Sequence, residues 1–280
     1  MKTLLFSTLL FCICASGSYA KRIVLNILHT SDTHSRILPI PDKPSEKYRN
    51  LGGVVRRDAI IRNARTSDKA TLVFDCGDFC QGTPFFNMFR GDVEVSCINA
   101  MGYDAVAIGN HEFDFGLENM ARIYRKLKCP VVCTNYDFTD TPLQGIVQPY
   151  VILKRHGLRI GVLGLGPKLK GLVQSKKYGA VVYRDPVEIA QQTADFLRQE
   201  KRCDVVIVLS HLGYQVLEGN DDNHLVSHTR GIDLVLGGHS HTYMKEPVYI
   251  LNIDQQPVPV VHSGKNGVNV SHMQLVIDSK

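Results

Sequence analysis

The sequence has 280 residues, 44% of them hydrophobic and 21% charged, and carries a formal net charge of +5. That length suits one large domain or two small ones, and the composition excludes a long disordered tract. The charge is too mild and too scattered to argue for binding to nucleic acid or to a membrane surface.

In chain order, the N-terminus "MKTLLFSTLLFCICASGSYAKR" places a lysine before an apolar stretch and small residues ending at Ala20. This pattern predicts a secretory signal peptide over residues 1–20, cleaved after Ala20. A retained membrane anchor is disfavoured because the apolar run is too short to span a bilayer. A lipoprotein is disfavoured because Phe11 and Ile13, both bulky, precede Cys12 and Cys14. The expected product is exported, periplasmic or extracellular, with no membrane span in the mature chain. Losing Lys2 with the leader takes the formal charge from +5 to +4.

Short apolar runs then alternate with amphipathic stretches. Ile23 to Leu28 predicts a strand, and the polar segment "PIPDKPSEKYRN" from Pro39 to Asn50 predicts a loop. A helix is expected from Gly53 to Ala64. Strands are expected at Thr71 to Phe74, Ala105 to Ile108 and Pro130 to Thr134. Before the last of these, Leu117, Met120, Ala121, Tyr124 and Leu127 recur at helical spacing. Leu158 to Leu165 reads as another buried strand. Asp185 as N-cap, with Pro186 at the first helical position, opens a helix whose stripe is Val187, Ala190, Ala194 and Leu197. Strands follow at Asp204 to Ser210, Asp233 to Leu236, Val258 to His262 and, last, "SHMQLVID". Strand–helix alternation with near-continuous apolar strands predicts an α/β fold with covered sheets, and residues 21–280 as one domain. Six cysteines follow the leader: Cys76, Cys80, Cys97, Cys129, Cys133 and Cys203. Their apolar surroundings favour buried free thiols over disulfides.

Polar clusters follow the strands. After Leu28 comes "HTSDTH" with Asp32 and His34, and after Phe74 comes "DCGDF" with Asp78. After Ile108 comes "GNHEFD" with Asn110, His111 and Asp114. His211 follows Ser210, and "GGHSH" with His239 and His241 follows Leu236. Sites in α/β sheets form outside the carboxyl ends of the strands, so these loops can meet in one crevice. Each short pattern alone is more often a capped turn or a satisfied histidine. Burying all of them together without a cation would leave several costly unpaired groups. His, Asp and Asn donors suit divalent transition ions, and a shared carboxylate can hold two of them roughly 3.5–4 Å apart. Gly77, Gly109, Gly237 and Gly238 fit sharp turns beside the ligands.

In that order, D-x-H, G-D, G-N-H-E, a lone His after a strand and G-H-x-H resemble the calcineurin-like metallophosphoesterases. The strings "GDFCQGTP", "MGYDAVAIGNHEFDFG" and "GIDLVLGGHSHT" are similar to the catalytic domain of the 5'-nucleotidase branch of that family, which includes UDP-sugar hydrolases and 2',3'-cyclic-nucleotide phosphodiesterases. The resemblance implies a four-layer α/β/β/α sandwich. It implies one metal on Asp32, His34, Asp78 and His241, and a second on Asn110, His211 and His239, with Asp78 bridging. Zn, Mn, Fe and Co all tolerate such ligands.

The expected reaction is in-line hydrolysis of a phosphate ester, most simply a nucleotide monoester, by a hydroxide held between the cations. His111 would stabilise the charge that builds on the phosphoryl and leaving oxygens, and Asp114 would orient its ring. Glu112 is expected to be a loop or helix-cap residue. Lys265, in "HSGKNG", is a candidate phosphate contact or a solvated turn lysine. His29, His156, His224, His228 and His272 are expected outside the site, as are Cys76 and Cys80. Family members of this branch carry a C-terminal nucleotide-recognition domain, for which this sequence shows no counterpart, so a separate chain supplying it is a candidate partner. A broad phosphoesterase or phosphodiesterase, and a metal-loaded subunit without catalysis, remain as alternatives.

Overall fold

Alternation within single strands decides the layers. Leu72 and Phe74 join one apolar cluster while Val73, between them, joins another, so this strand is buried on both faces. A computed structural model of the chain describes residues 22–216 and 220–278. The leader expected at residues 1–20 lies outside the described residues, and among those described no helix is long and apolar enough to cross a membrane.

One six-stranded sheet runs in the order β14 (Ser271–Asp278), β1 (Arg22–Thr30), β2 (Leu72–Asp75), β3 (Ala105–Ala107), β4 (Val131–Val132), β6 (Val147–Gln148). It is parallel apart from β14, which pairs antiparallel with β1. The other runs β12 (Val248–Leu251), β13 (Pro257–His262), β11 (Leu234–Gly237), β10 (Val205–Ser210), β8 (Leu158–Leu165), β7 (Tyr150–Arg155). Its inner four strands are parallel and its two edges antiparallel. Strands β5 (Tyr136–Asp137) and β9 (Val182–Tyr183) form a separate antiparallel pair.

Ile27, Phe74 and Ala107 of the first sheet meet Val162, Ile207 and Leu236 of the second in an inter-sheet core. Each large side chain there contributes about 1.5–3 kcal/mol by leaving water. On the far face of the first sheet lie α1 (Val54–Ser67), α2 (Pro84–Phe89), α3 (Asp92–Met101) and α4 (Gly116–Tyr124), through Ile61, Phe86, Ile98 and Met120. On the far face of the second lie α6 (Pro186–Gln199) and α7 (Asp222–Ser227), through Ala190, Ala194 and Leu225, while the short α5 (Ser175–Tyr178) packs beside α4. Helix, sheet, sheet, helix is the expected four-layer sandwich.

Asp185 caps α6 as expected, its Oδ1 accepting from the amides of Val187 and Glu188 at 2.9 and 3.0 Å. The strand expected through Thr134 stops at Val132. The Thr134 amide crosses to the Gly164 carbonyl of β8 at 2.7 Å, tying one sheet to the other. Helix α4 ends at Tyr124, short of the expected Leu127, whose amide closes a tighter turn onto the Tyr124 carbonyl.

Candidate metal centre

The parallel strands β1, β2, β3, β10 and β11 all end at the same rim, and their exit loops lock together through the backbone. Beyond β1 and β2 the amides of Asp32, His34 and Ser35 donate to the carbonyls of Gly77, Asp78 and Phe79 at 2.9–3.0 Å. The Asn266 amide holds the Asp32 carbonyl at 2.7 Å. Within these loops Asp32, His34, Asp78, His239 and His241 have φ of 50°, 44°, 55°, 73° and 56°. The left-handed region costs an L-residue roughly 1–2 kcal/mol, and such conformations cluster where the surrounding structure over-determines them.

The glycines act differently from one another. Gly77 has φ 92° and turns the chain, whereas Gly109, Gly237 and Gly238 do not occupy the left-handed region. The sharp turns expected at those three are corrected to close approach. A Cβ at Gly109 would overlap the Asp78 carboxylate, and one at Gly237 would overlap the His262 ring.

Two clusters result. Asp32, His34 and His241 bring ligand atoms within 4.8 Å of one another, and so do Asp78, His211 and His239. In the first, the Nε2 atoms of His34 and His241 stand 3.0 Å apart. In the second, His211 Nε2 lies 3.1 Å from Asp78 Oδ2 and 3.9 Å from Asp32 Oδ1, while its Nδ1 is turned onto the Cys76 carbonyl at 2.7 Å.

Burial keeps the His34 and His239 rings neutral, each lowered to about 4. Burial raises the Asp32 carboxyl. Burial also opposes ionisation of Asp78, but the neighbouring His211 outweighs it and holds that carboxyl well below the usual range. The same contact overcomes the desolvation of His211 and raises its pKa.

The donor set fits divalent metals. Asn110 Oδ1 is buried without a hydrogen-bond partner, and His211 Nε2 has only the Asp78 carboxylate beside it. Unsatisfied buried nitrogen and oxygen donors gathered around carboxylates are what a bound cation would complete.

His111 stands at the mouth, its side chain about a third exposed and its ring centroid 5.4 Å from that of His34. Its Nδ1 contacts Asp114 Oδ2 at 3.1 Å, and this hydrogen bond, working against burial, raises its pKa. The His111 amide also donates to Asp78 Oδ1 at 2.8 Å.

Glu112 sits in the short helical turn His111–Phe113 beyond β3 and bonds back to Gly109 as a cap would, but it does more than cap. Its buried carboxylate accepts from the amides of Gly109, Asp78 and Cys80 at 2.7, 2.9 and 3.1 Å, clamping the β2 and β3 exits together. Its place in the G-N-H-E string was the available signal; that three amides would converge on it was not visible.

The residues expected elsewhere are elsewhere. His29 is fully buried at the end of β1, its ring lowered to about 3 by burial. His156 pairs with Asp68 at 3.6 Å, His228 caps the His224 carbonyl at 2.9 Å, and His272 reaches Asn26 at 3.4 Å. Cys76 donates to the Leu236 carbonyl at 3.2 Å, and burial raises both its thiol and that of Cys80. All six described cysteines are free. Lys265 is exposed, and its charge, after burial, helps lower the pKa of His241.

Comparison with known proteins agrees with this geometry. The family model for the calcineurin-like phosphoesterases matches residues 25–243. The chain is 30% identical to a 5'-nucleotidase of Diplobatis ommata, an alignment covering 97% of this chain and 49% of that protein. It is similar in structure to the NAD nucleotidase (NadN) of Haemophilus influenzae, with a TM-score of 0.82 and 26% identity, covering 92% of this chain and 48% of that one. It is also similar to a 5'-nucleotidase precursor from Thermus thermophilus, with a TM-score of 0.80 and 28% identity, covering 92% and 55%. The chain spans about half the length of these relatives. With interlocked exit loops, two clusters of aspartate and histidine donors and a family match across most of its length, the chain belongs to the calcineurin-like phosphoesterases, a family of metal-dependent phosphoester hydrolases.

Proposed function

We propose that this chain hydrolyses phosphate monoesters of nucleotides at a centre of two divalent cations. The observation that carries the reading is the convergence of two His/Asp clusters beside the His111–Asp114 pair. The 5'-nucleotidase relatives supply the substrate class.

Asp32, His34 and His241 would hold one ion and Asn110, His211 and His239 the other, with Asp78 shared between them. When bound, such ions supply positive charge to the phosphoryl oxygens and lower the pKa of a coordinated water toward ~7. The protein's own groups do the rest. Asp114 takes the Nδ1–H of His111 and so fixes the ring with Nε2 facing the mouth. The protonated ring then donates its Nε2 proton to the ester oxygen as charge builds there. Glu112 keeps Asp78 and the Asn110 loop in register. We further propose that residues 21–280 act as one exported catalytic domain after loss of the leader.

The test is turnover by the purified protein supplied with Mn or Zn, read as phosphate release from AMP and an aryl phosphate and as nucleotide product from a cyclic nucleotide and NAD. AMP hydrolysis that falls about 10²–10⁴-fold in His111→Ala supports the reading. Turnover of the cyclic nucleotide or NAD well above AMP selects a phosphodiesterase instead. No hydrolysis of any ester by the metal-loaded protein overturns it.

A further inference from the structure

Asp222 belongs to none of the motifs, yet it is fully buried at the start of α7, 0% exposed, and makes contacts on two sides. Its Oδ1 accepts from the Ser210 hydroxyl and its Oδ2 from His262 Nε2, the latter at 2.7 Å. Its own amide donates to the Gly213 carbonyl at 2.9 Å. Ser210 Oγ in turn accepts from the Leu212 amide at 3.1 Å. The loop from 210 to 213, with His211 at its centre, is therefore gripped before and after the histidine.

On the other side, His262 is paired in register with Gly237, two residues before His239. The Asp222–His262 pair lies so close to the Gly237 backbone that a Cβ there would overlap it. One carboxylate thus braces the exits of both β10 and β11. These are the exits that carry the two imidazoles of the second cluster.

We infer that Asp222 is a positioning residue for the ion held by His211 and His239, acting through Ser210 and His262 without touching the ion itself. The inference rests on the two-cation reading above. Asp32 and His34 leave β1, whose exit is fixed by the β2 exit and by Asn266, and only His241, four residues beyond Gly237, ties the first cluster to the β11 exit, so that cluster leans on Asp222 less than the second does. Partners behind metal ligands fix ring orientation, and removing one typically costs 10–100-fold in metal affinity.

The experiment is titration of metal-depleted full-length protein with Zn²⁺ or Mn²⁺, followed by calorimetry and by metal analysis after desalting. Wild type is expected to take up two ions. Asp222→Ala is expected to weaken one ion little and to bind the second about 10–100-fold more weakly. Asp222→Asn, which retains an oxygen for Ser210, should fall between them. Should the alanine variant fail to fold, Asp222→Asn and Ser210→Ala carry the test. Folded variants that bind both ions as tightly as wild type overturn the inference. Equal weakening of both ions overturns it too, because that is loss of general packing. Wild type that binds fewer than two ions overturns the two-cation reading itself, and the inference with it.

Discussion

The two clusters sit side by side and are held in opposite ways. The Asp78–His211–His239 cluster is braced mainly by side chains, Glu112 on the Asp78 amide and Asp222 behind the β10 and β11 exits, with the Cys76 backbone carbonyl on His211. The Asp32–His34–His241 cluster is held mainly by backbone, through the paired β1 and β2 exits, and one member, His241, has a side chain 37% exposed. Fixed charge and packing secure the inner cluster, while loop geometry secures the outer one and leaves it open to solvent. The difference teaches where each is vulnerable. The inner cluster fails when a carboxylate is lost, the outer one when a loop shifts.

The largest effect is expected from Asp78→Asn, which removes the charge that would be shared between the clusters. Losing several kcal/mol of charge stabilisation means a fall of about 10³-fold or more in kcat, read by steady-state phosphate release. A variant that keeps wild-type turnover would show that the inner cluster is not part of the chemistry.

Glu112→Gln is smaller, because it removes one acceptor pattern and no ligand. A loss of about 10–100-fold in metal affinity is expected by calorimetry. It also sharpens the comparison. If Asp78 serves both clusters, both ions weaken; if only the inner ion weakens, Asp78 belongs to that cluster alone.

Asp114→Asn is the smallest and concerns the mouth. The Asp114 hydrogen bond raises the His111 pKa, so its loss lets that pKa fall back toward the ordinary histidine value. Since the protonated ring is the proposed donor, activity is present below its pKa and lost as pH rises through it. The alkaline limb of the kcat/KM profile should therefore move to lower pH in the variant. An unmoved limb would remove His111 as the proton donor.

Much of this was legible. The apolar runs give the strands their places, because a strand buried on both faces must be continuously apolar. The Asp185–Pro186 pair starts α6 where capping chemistry puts it. Helices α2, α3, α5 and α7 were not foreseen; six residues or fewer leave little period to read in three of them, and α3 has ten. Strand β12 was missed for a different reason: as an edge strand it buries only Ile250 of its four residues. At the site the ligand candidates were visible as strings, whereas their supports were not. Asp222 is one acidic residue in a polar stretch, and its partners, Ser210 and His262, are 12 and 40 positions away.

The left-handed backbone at Asp32, His34, Asp78, His239 and His241 bears on how such a site decays. Glycine adopts that conformation without penalty, so each of these positions holds a residue whose backbone would be more at ease as glycine. At His241, whose side chain is 37% exposed, replacement forfeits less packing than at the buried Asp32 or Asp78. At that position, genetic drift away from a candidate ligand is therefore only weakly opposed by the folding of the empty protein. A descendant that had lost its ions could melt later than its working ancestor, so thermal robustness among relatives is no guide to which of them still turn over substrate.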